Sequence, residues 1–581
     1  MKSLQDQAVL VLGLGLSGLA LARWCVRCGA QVTVADTRLT PPQLPALQQH
    51  CPQVRFVSGP FSAELVQGQR AVFKSPGLAP TEVASVVDAA RAIGLHVGNE
   101  LSLFAQALAE LAEPQPVEPT AHPMTDSGAT ASDQMPVDQA EQADSQLPDS
   151  AAASEAPDAS DAPGTGEASA AEGDRPADEG RRDELQPAAA LIAAPAPGYR
   201  PRVLAITGTN GKTTVTSLTG LLVERAGLSV AVAGNIGPTL LDTLTAALDQ
   251  GQLPQVWVLE LSSFQLDEVS TFEPTAATVL NLTQDHLDWH GDMAAYAKAK
   301  GHVYGQRGLM LLNRDDPLVM AQLPTPVTVK GKARAVRAHQ TFGTDLPTRP
   351  GDWGLETAGG MTWLVRAAEA DETLKRVKNE DEPIYIQRLM PAEALQIRGR
   401  HNASNALAAL ALATAAGGGL AAMLHGLRQY RGEPHRVEPV GVIGDIEFFD
   451  DSKGTNVGAT AAALKGLGAE RRVVVILGGQ GKGQDFAPLA EPLRRHGRAA
   501  VLIGRDAPQL RQALAATGVP LADASDMQAA VQAAFAMAQA GDAVLLSPAC
   551  ASFDMFRDYG HRAEVFLEAV TELAHEQGVM L

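Results

Sequence analysis

Val203-Leu-Ala-Ile-Thr-Gly-Thr-Asn-Gly-Lys-Thr-Thr214 runs from an apolar stretch through a glycine-spaced turn to a lysine and two threonines. Arg202–Ile206 reads as a strand and Thr213–Ala226 as the helix that follows, so Gly208–Thr214 is a strand-to-helix loop. Backbone N–H groups at such a turn converge on an anion, and the helix N-terminus adds its dipole. Gly208, Thr209, Asn210, Gly211, Lys212, Thr213 and Thr214 are therefore the candidate nucleotide-binding residues. Lys212 would reach the β- and γ-phosphates, and the Thr213 hydroxyl suits a Mg²⁺ ligand. The general phosphate-loop pattern requires glycine six residues before the lysine, where this chain has Ile206. The loop is thus a shorter variant, T-G-T-N-G-K-T-T.

Working outward, the chain divides into blocks. Residues 199–400 form the central block, with further strands at Val256–Leu259 and Ala276–Leu280 and an irregular, charge-rich stretch at Gly331–Ile386. Residues 401–581 open with an Ala-rich helix, Asn405–Ala415. Strands then follow at Ile446–Asp450, Arg472–Leu477, Ala499–Ile503 and Ala543–Leu546, interleaved with helical patterns. Residues 1–111 begin as a βαβ unit: strand Ala8–Leu12, glycine turn Gly13–Gly18, helix Leu19–Arg27, strand Gln31–Ala35 ending at Asp36. A helix at Leu101–Leu111 closes this block. The expected fold class is α/β in three domains: a Rossmann-like N-terminal domain, a central ATPase-like domain with a parallel sheet, and a C-terminal Rossmann-like domain.

Between the first two, residues 112–198 break the pattern. They are rich in Ala, Pro, Asp, Glu, Ser and Gly. Such a composition buries too little apolar surface to offset the entropy of ordering, so an acidic disordered insertion is expected. Positions 112–197 hold 18 acidic and 3 basic residues, a net of −15, which leaves −5 of the −20 for the rest of the chain. Acidity and an aromatic content of 4 % argue against a nucleic-acid partner. At 581 residues, 45 % of them apolar, several cores are expected. Four cysteines (Cys25, Cys28, Cys51 and Cys550) are too few for a disulfide framework. Cys25 and Cys28 form a lone C-x-x-C on an apolar helix and read as packing residues. Without a secretory leader or a run of about 18 apolar residues, a cytoplasmic protein without membrane insertion is expected.

Further segments occur in a fixed order: Gly234-Asn-Ile-Gly237, Glu260-Leu-Ser-Ser-Phe-Gln-Leu266, Asn281-Leu-Thr-Gln-Asp-His-Leu-Asp288 and Tyr296-Ala-Lys-Ala-Lys300. Gly399-Arg-His-Asn402, Pro434-His-Arg436, Asp450-Asp-Ser-Lys-Gly-Thr-Asn456, Leu477-Gly-Gly-Gln-Gly-Lys482 and Ser547-Pro-Ala-Cys-Ala-Ser-Phe-Asp554 complete the set. With the phosphate loop, this set resembles the Mur ligase family across the whole chain except 112–198. Glu260, at a strand end where ligands bind in open α/β sheets, suits Mg²⁺ by its chemistry alone. The resemblance implies two Mg²⁺ ions held by Thr213, Glu260, His286 and Lys300, with Lys300 carbamylated by CO₂ so that it carries an anionic ligand. Lys298 competes for that role, and the four-residue spacing from Tyr296 favours Lys300. Lys212, Glu260, His286 and Lys300 are the implied catalytic set. Asn405, Arg436 and Asp451 are implied nucleotide contacts on a C-terminal domain that closes over ATP.

Gly13-Leu-Gly-Leu-Ser-Gly18 with Asp36 also fits a dinucleotide fingerprint, which makes an NAD-dependent dehydrogenase a rival. That rival leaves the phosphate loop, Glu260 and His286 without a use. The resemblance instead places the UDP of a nucleotide-linked substrate here. Leu16, Ser17 and Gly18 would lie at the diphosphate turn; Asp36, Thr37 and Arg38 at the uridine; Ser75, Gly77 and Asn235 along the remainder. Asp36-Thr-Arg38 and Ser75-Pro-Gly77 resemble the branch of the family that adds D-glutamate to UDP-N-acetylmuramoyl-L-alanine. Thr455, Lys482, Ser552 and Tyr559 are the implied D-glutamate contacts; Tyr559 stands where that branch has Phe. The implied protein is a monomer that uses ATP. Another amide ligase of this family or of the folylpolyglutamate type is the alternative, against which the N-terminal block argues. A non-catalytic nucleotide-binding regulator is disfavoured by the intact Lys212, Glu260 and Lys300.

Overall fold

The computed structural model describes residues 2–113, 198–329, 332–334, 337–370, 384–469 and 471–580. Among these, three sheets carry the architecture, and a two-stranded antiparallel ribbon is separate from them. The N-terminal sheet contains β1 (Ala8–Leu12), β2 (Gln31–Asp36), β3 (Arg55–Ser58), β4 (Ala71–Lys74) and β5 (His96–Gly98). Its order is β3-β2-β1-β4-β5, all parallel. The order reverses beside β1, so a crevice opens at the carboxyl ends of β1 and β4, where Gly13 and Ser75 lie.

The central sheet contains β6 (Arg202–Thr207), β7 (Val230–Gly234), β8 (Val256–Glu260), β9 (Ala276–Val279) and β10 (Leu309–Asn313). The ribbon, β11 (Val327–Val329) and β12 (Lys332–Arg334), follows in the chain. The sheet then takes in β13 (His339–Phe342), β14 (Trp353–Ala358), β15 (Met361–Glu369) and β16 (Ile384–Pro391), in the order β16-β15-β14-β13-β10-β9-β6-β8-β7. Buried on both faces, β6 and β8 are nearly continuous apolar runs. The stretch Gly331–Ile386 was expected to be irregular. Its described part instead extends this sheet by β13, β14 and β15 and the start of β16. One face of that extension is apolar, with Trp353, Leu355 and Leu364 buried in one core. The other meets solvent, where Arg388 pairs with Glu356 at 2.7 Å. Its charges are therefore those of a half-exposed antiparallel edge rather than of a loop.

The C-terminal sheet contains β17 (Glu438–Ile443), β18 (Ile446–Asp450), β19 (Val473–Gly478), β20 (Gly497–Ile503), β21 (Leu521–Asp523) and β22 (Ala543–Leu546). Its order is β17-β18-β22-β19-β20-β21, parallel except for β17. The helix expected to open this block begins earlier, at Arg400, and runs to Ala415. Its buried alanines and leucines pack with Leu218 and Leu222 of the phosphate-loop helix, in the core of the central sheet. The apolar cores of the C-terminal sheet are separate from it.

The N-terminal and central sheets, by contrast, share one apolar core. Phe104, on the helix Glu100–Leu111, meets Trp257 of β8 edge to face at 5.1 Å. Asn99 caps that helix by accepting from the Ser102 N–H, and its Nδ2 donates to the Gln265 carbonyl at 2.9 Å. Lys74 and Arg91 both reach Glu268, at 3.2 and 2.7 Å.

The disorder expected for 112–198 falls almost wholly on 114–197, outside the described residues. Its flanks are joined: the Tyr199 N–H donates to the Leu111 carbonyl at 2.8 Å. All four cysteines are buried and free. No helix among the described residues is long and apolar enough to cross a membrane.

Candidate active site

The phosphate loop turns at Gly208 and Gly211, whose φ angles of +148° and +83° lie in the left-handed region. A Cβ at Gly208 would come within 2.9 Å of the Leu280 Cβ. The helix starts at Lys212, so the first-turn N–H groups, which have no partner within the helix, face the carboxyl end of β6. The loop is held from the next strand end. Asn281 accepts from the Asn210 N–H at 2.8 Å and donates to its carbonyl at 3.0 Å. Lys212 Nζ donates to the Gly208 and Thr209 carbonyls at 3.0 and 2.9 Å. Burial pushes the Lys212 ammonium down from its ordinary value, with Glu260 and Asp285 opposing the shift. A phosphate would relieve that cost.

Around the loop stand the residues expected to hold cations. Glu260 ends β8 and is buried. Its Oε1 accepts from Asn235 Nδ2 at 3.0 Å, while Oε2 is buried without a hydrogen-bond partner. An orphaned carboxylate oxygen in such a place is costly unless a cation or donor joins it. His286 follows Asp285, with 3.6 Å between Nε2 and Oδ2. Burial chiefly pushes the His286 imidazole below its ordinary value, with Asp285 opposing, which favours the neutral ring. Neutral imidazole is the ligating form.

Lys300 is buried beneath the loop, and Lys298 is exposed. Its Nζ donates to the Gly208 carbonyl at 2.9 Å and to Thr207 Oγ1 at 3.2 Å, and lies 4.8 Å from the Tyr296 ring centre. Tyr296 in turn is 3.1 Å from Thr209 Oγ1. Burial, then the charge of Lys212, drives Lys300 far below the usual lysine range. That shift favours the neutral amine, the form that reacts with CO₂. These residues fit Mg²⁺: a free carboxylate oxygen, a neutral imidazole, the Thr213 hydroxyl and a reactive amine all lie beside an anion-binding loop.

The C-terminal residues meet this site across a cleft lined by Asn210, Gly211, Asn405, Arg436, Asp451 and Lys453. Arg436 Nη2 donates to Thr213 Oγ1 at 2.6 Å, which puts its guanidinium at the helix N-terminus where phosphates would lie. Asn456 Nδ2 donates to Asn210 Oδ1 at 3.0 Å. Asp451 is buried and accepts from Ser547 Oγ at 2.6 Å; burial raises its carboxyl to about 7. Asn405 Nδ2 donates to Asn402 Oδ1 at 3.0 Å.

Paired bridge hydrogen bonds between Gln480 and Ala551, at 2.8 and 3.0 Å, align the loop carrying exposed Lys482 with the loop carrying buried Ser552. Tyr559 is partly exposed, and Lys453 Nζ lies 3.7 Å from its ring centre. Arg562 is buried and ties this region together. Its Nη2 donates to the Ser452 carbonyl at 2.7 Å and its Nη1 to the Cys550 carbonyl at 3.1 Å. Thr455 lies between Lys453 and Asn456. Sequence reasoning assigned no role to Lys453 or Asn281, although each stands inside a quoted motif.

At the N-terminal crevice the helix begins at Leu16, three residues before its expected start, so Ser17 and Gly18 form its first turn. A methyl group at Gly18 would collide with the Gly13 carbonyl. Ser75 Oγ donates to that same carbonyl at 3.0 Å. Asp36 accepts from the Leu14 N–H at 2.7 Å and from Arg38 Nε and Nη2 at 2.8 Å each, and the Arg38 hydrogen bond chiefly holds its carboxyl at about 2. Asp36 therefore braces the turn as an anion. Leu16 is 68 % exposed, an apolar side chain presented at the crevice mouth. Thr37 is exposed and Gly77 borders open space.

Three α/β sheets, the middle one ending in a mononucleotide-type phosphate loop, define a multidomain nucleotide-binding protein. Family models match each part: Mur ligase MurD-like N-terminal domain at residues 7–98, Mur ligase middle domain at 206–345, and Mur ligase glutamate ligase domain at 435–550. The chain belongs to the Mur ligase family. It is 62 % identical to the UDP-N-acetylmuramoylalanine–D-glutamate ligase of Polaromonas sp. strain JS666, over 100 % of both chains. The proteins of that name from Albidiferax ferrireducens and Ralstonia nicotianae are 58 % and 50 % identical. These matches cover 100 % and 99 % of this chain and 98 % of each relative.

Proposed function

We propose that this protein is an ATP-dependent ligase that joins D-glutamate to UDP-N-acetylmuramoyl-L-alanine in peptidoglycan synthesis, acting as a cytoplasmic monomer. One observation carries the reading. Lys212, Glu260, His286 and Lys300 converge on one amide-lined loop, in a chain whose full-length relatives bear that activity in their names.

In this reading Gly208–Thr214 cradles the ATP phosphates, and Lys212 and Arg436 offset their charge. Asn405 and Asp451 hold the rest of the nucleotide. Thr213, Glu260, His286 and a carbamylated Lys300 hold two Mg²⁺ ions. When bound, these ions neutralise charge on the phosphates and polarise the one transferred. The Lys300 amine adds to CO₂, forming an N–C bond and releasing one proton, and the buried lysine becomes an anion. Leu16, Ser17, Gly18, Asp36, Thr37, Arg38, Ser75 and Gly77 take the UDP moiety, with Asn235 nearer the muramoyl group. Thr455, Lys482, Ser552 and Tyr559 receive D-glutamate, the Lys482 ammonium meeting an acceptor carboxylate.

The L-alanyl carboxylate attacks the γ-phosphorus and ADP leaves. The D-glutamate amine then attacks the acyl phosphate, the tetrahedral adduct collapses, phosphate leaves and an amide remains. The protein supplies position and charge neutralisation. Closure of the C-terminal domain, whose contacts with the phosphate loop are polar, excludes water from the acyl phosphate.

The test is phosphate release from ATP with UDP-N-acetylmuramoyl-L-alanine and a panel of amino acids. D-Glutamate should stimulate release far above all others. Stimulation by L-amino acids as strong as by D-glutamate would overturn the assignment.

A further inference from the structure

Lys482 is the cation assigned to an acceptor carboxylate, and its backbone takes a conformation that a lysine seldom adopts. Its φ is +51°, and that of Gly483 is +76°. A residue other than glycine keeps the left-handed conformation only where its surroundings impose it. Here Gly481, just before it, is held at both ends. The Gly481 carbonyl accepts from the Gln484 N–H and from Gln484 Nε2, each at 3.1 Å, which closes the turn that has Lys482 and Gly483 at its centre. The Gly481 N–H donates to Asp506 Oδ2 at 2.6 Å.

Asp506 belongs to the turn 504–506, which follows β20, and it is the N-cap residue of the helix Ala507–Leu514. An aspartate in that place ordinarily accepts from the first-turn N–H groups of its own helix. Asp506 makes no such bond. The residue is 8 % exposed, and one carboxylate oxygen is given to Gly481 instead. The other has only long contacts, 3.4 Å to Arg505 Nε and 3.5 Å to Gln509 Nε2. The same turn also grips the second loop assigned to D-glutamate. The Arg505 N–H donates at 2.8 Å to Oδ2 of Asp554, which follows Ser552 and Phe553 in the chain. A methyl group on Gly504 would come within 2.6 Å of that Asp554 oxygen and 2.9 Å of the Gly479 Cα, so the turn is wedged between the two loops.

We propose that Asp506 is a positioning residue for the acceptor amino acid: through the Gly481 N–H it fixes the left-handed backbone at Lys482 and so aims the ammonium at a carboxylate of D-glutamate. This inference rests on the reading of Lys482 as a D-glutamate contact. Asp506 is an anion and a poor contact for an anionic acceptor, so its effect passes through Lys482. It governs capture of D-glutamate alone, because no residue assigned to ATP or to UDP lies on these two loops.

The experiment is steady-state phosphate release by the full chain, with KM measured for each of the three substrates in wild type, Asp506→Ala, Lys482→Ala and the double variant. Asp506→Ala should raise the D-glutamate KM about tenfold, the scale of losing a hydrogen bond to a charged group, with kcat and the other two KM values within about twofold of wild type. The double variant should have the same D-glutamate KM as Lys482→Ala, since Asp506 acts only through that side chain. A merely structural brace would raise all three KM values, and its effect would multiply with that of Lys482→Ala; either outcome overturns the inference. A D-glutamate KM unchanged in Asp506→Ala overturns it as well. Should Asp506→Ala prove unfolded by circular dichroism, Asp506→Asn takes its place in the cycle. That variant keeps the shape and a neutral acceptor for Gly481, and should raise the D-glutamate KM about fivefold; no change in it overturns the inference. Lys482→Ala separates the two readings. If it leaves the D-glutamate KM as in wild type, the assignment of Lys482 fails and the inference goes with it. If it raises that KM and the Asp506 variants do not, the assignment stands and the inference fails.

Discussion

Lys300 shows how much one side chain can depend on its surroundings. On an exposed helix it would be a solvated cation. Under the phosphate loop it has a carbonyl and a hydroxyl to donate to, Lys212 nearby, and no carboxylate within ion-pair distance among the described residues. Replacing it by Ala should lower turnover roughly a thousandfold, the scale of losing a group that organises transition-state charge. Acetate or formate should restore part of that activity by supplying the missing anion; the check is phosphate release from the variant with and without the additive. Undiminished activity in the variant would refute the role. The four-residue step from Tyr296 pointed to this lysine because residues that far apart share a helix face. Lys453 had no such pointer. Its place opposite Arg436, and its stacking on Tyr559, come from a loop whose course is set by the buried Arg562 more than a hundred residues later in the chain. Local pattern carries no record of such a contact.

Elements with one dominant period were legible; those with mixed environments were not. β1, β6, β8 and β22 were read to within a residue, since a strand buried on both faces is an apolar run with sharp ends. The described β13–β16 region looked like loop because its solvent face carries charge and it includes Gly359 and Gly360 at a turn. The helix at Arg400 began five residues before its Ala-rich signal, and its packing partner could not be known from its own sequence. The helix Glu100–Leu111 makes the clearest test at this scale. Asn99 both caps it and bonds Gln265 of the adjoining domain. Loss of a cap costs about 1 kcal/mol, and loss of a buried hydrogen bond about another. Asn99→Ala should therefore lower unfolding stability by about 2 kcal/mol, read as a reduced urea midpoint at unchanged slope. An unchanged midpoint would mean that the helix is anchored by Phe104 and Trp257 alone.

Across the molecule, the N-terminal and central sheets are joined through apolar core, whereas the phosphate-loop contacts of the C-terminal sheet are polar, among them Arg436 with Thr213 and Asn456 with Asn210. This division sets where motion is cheap, since repacking a shared core costs far more than exchanging polar partners for water or phosphate. The three-sheet plan was legible because each block opens its own alternation of strands and helices, while the sharing of cores was not, because it depends on which faces meet. At this scale the prediction concerns 114–197. Since Leu111 and Tyr199 are hydrogen-bonded on either side, a short Gly/Ser bridge in place of that segment should leave kcat/KM within about twofold and the melting temperature close to wild type. Loss of activity in that variant would assign the segment a direct part in catalysis.

The Leu111–Tyr199 hydrogen bond has a practical corollary. Where a chain leaves and re-enters a fold at one point, the length of what lies between is nearly free: changing 84 residues to ten alters the closure entropy by only about 2 kcal/mol. The junction is a socket. A fluorescent protein, an affinity handle or a second enzyme spliced there would be carried without the catalytic body having to accommodate it.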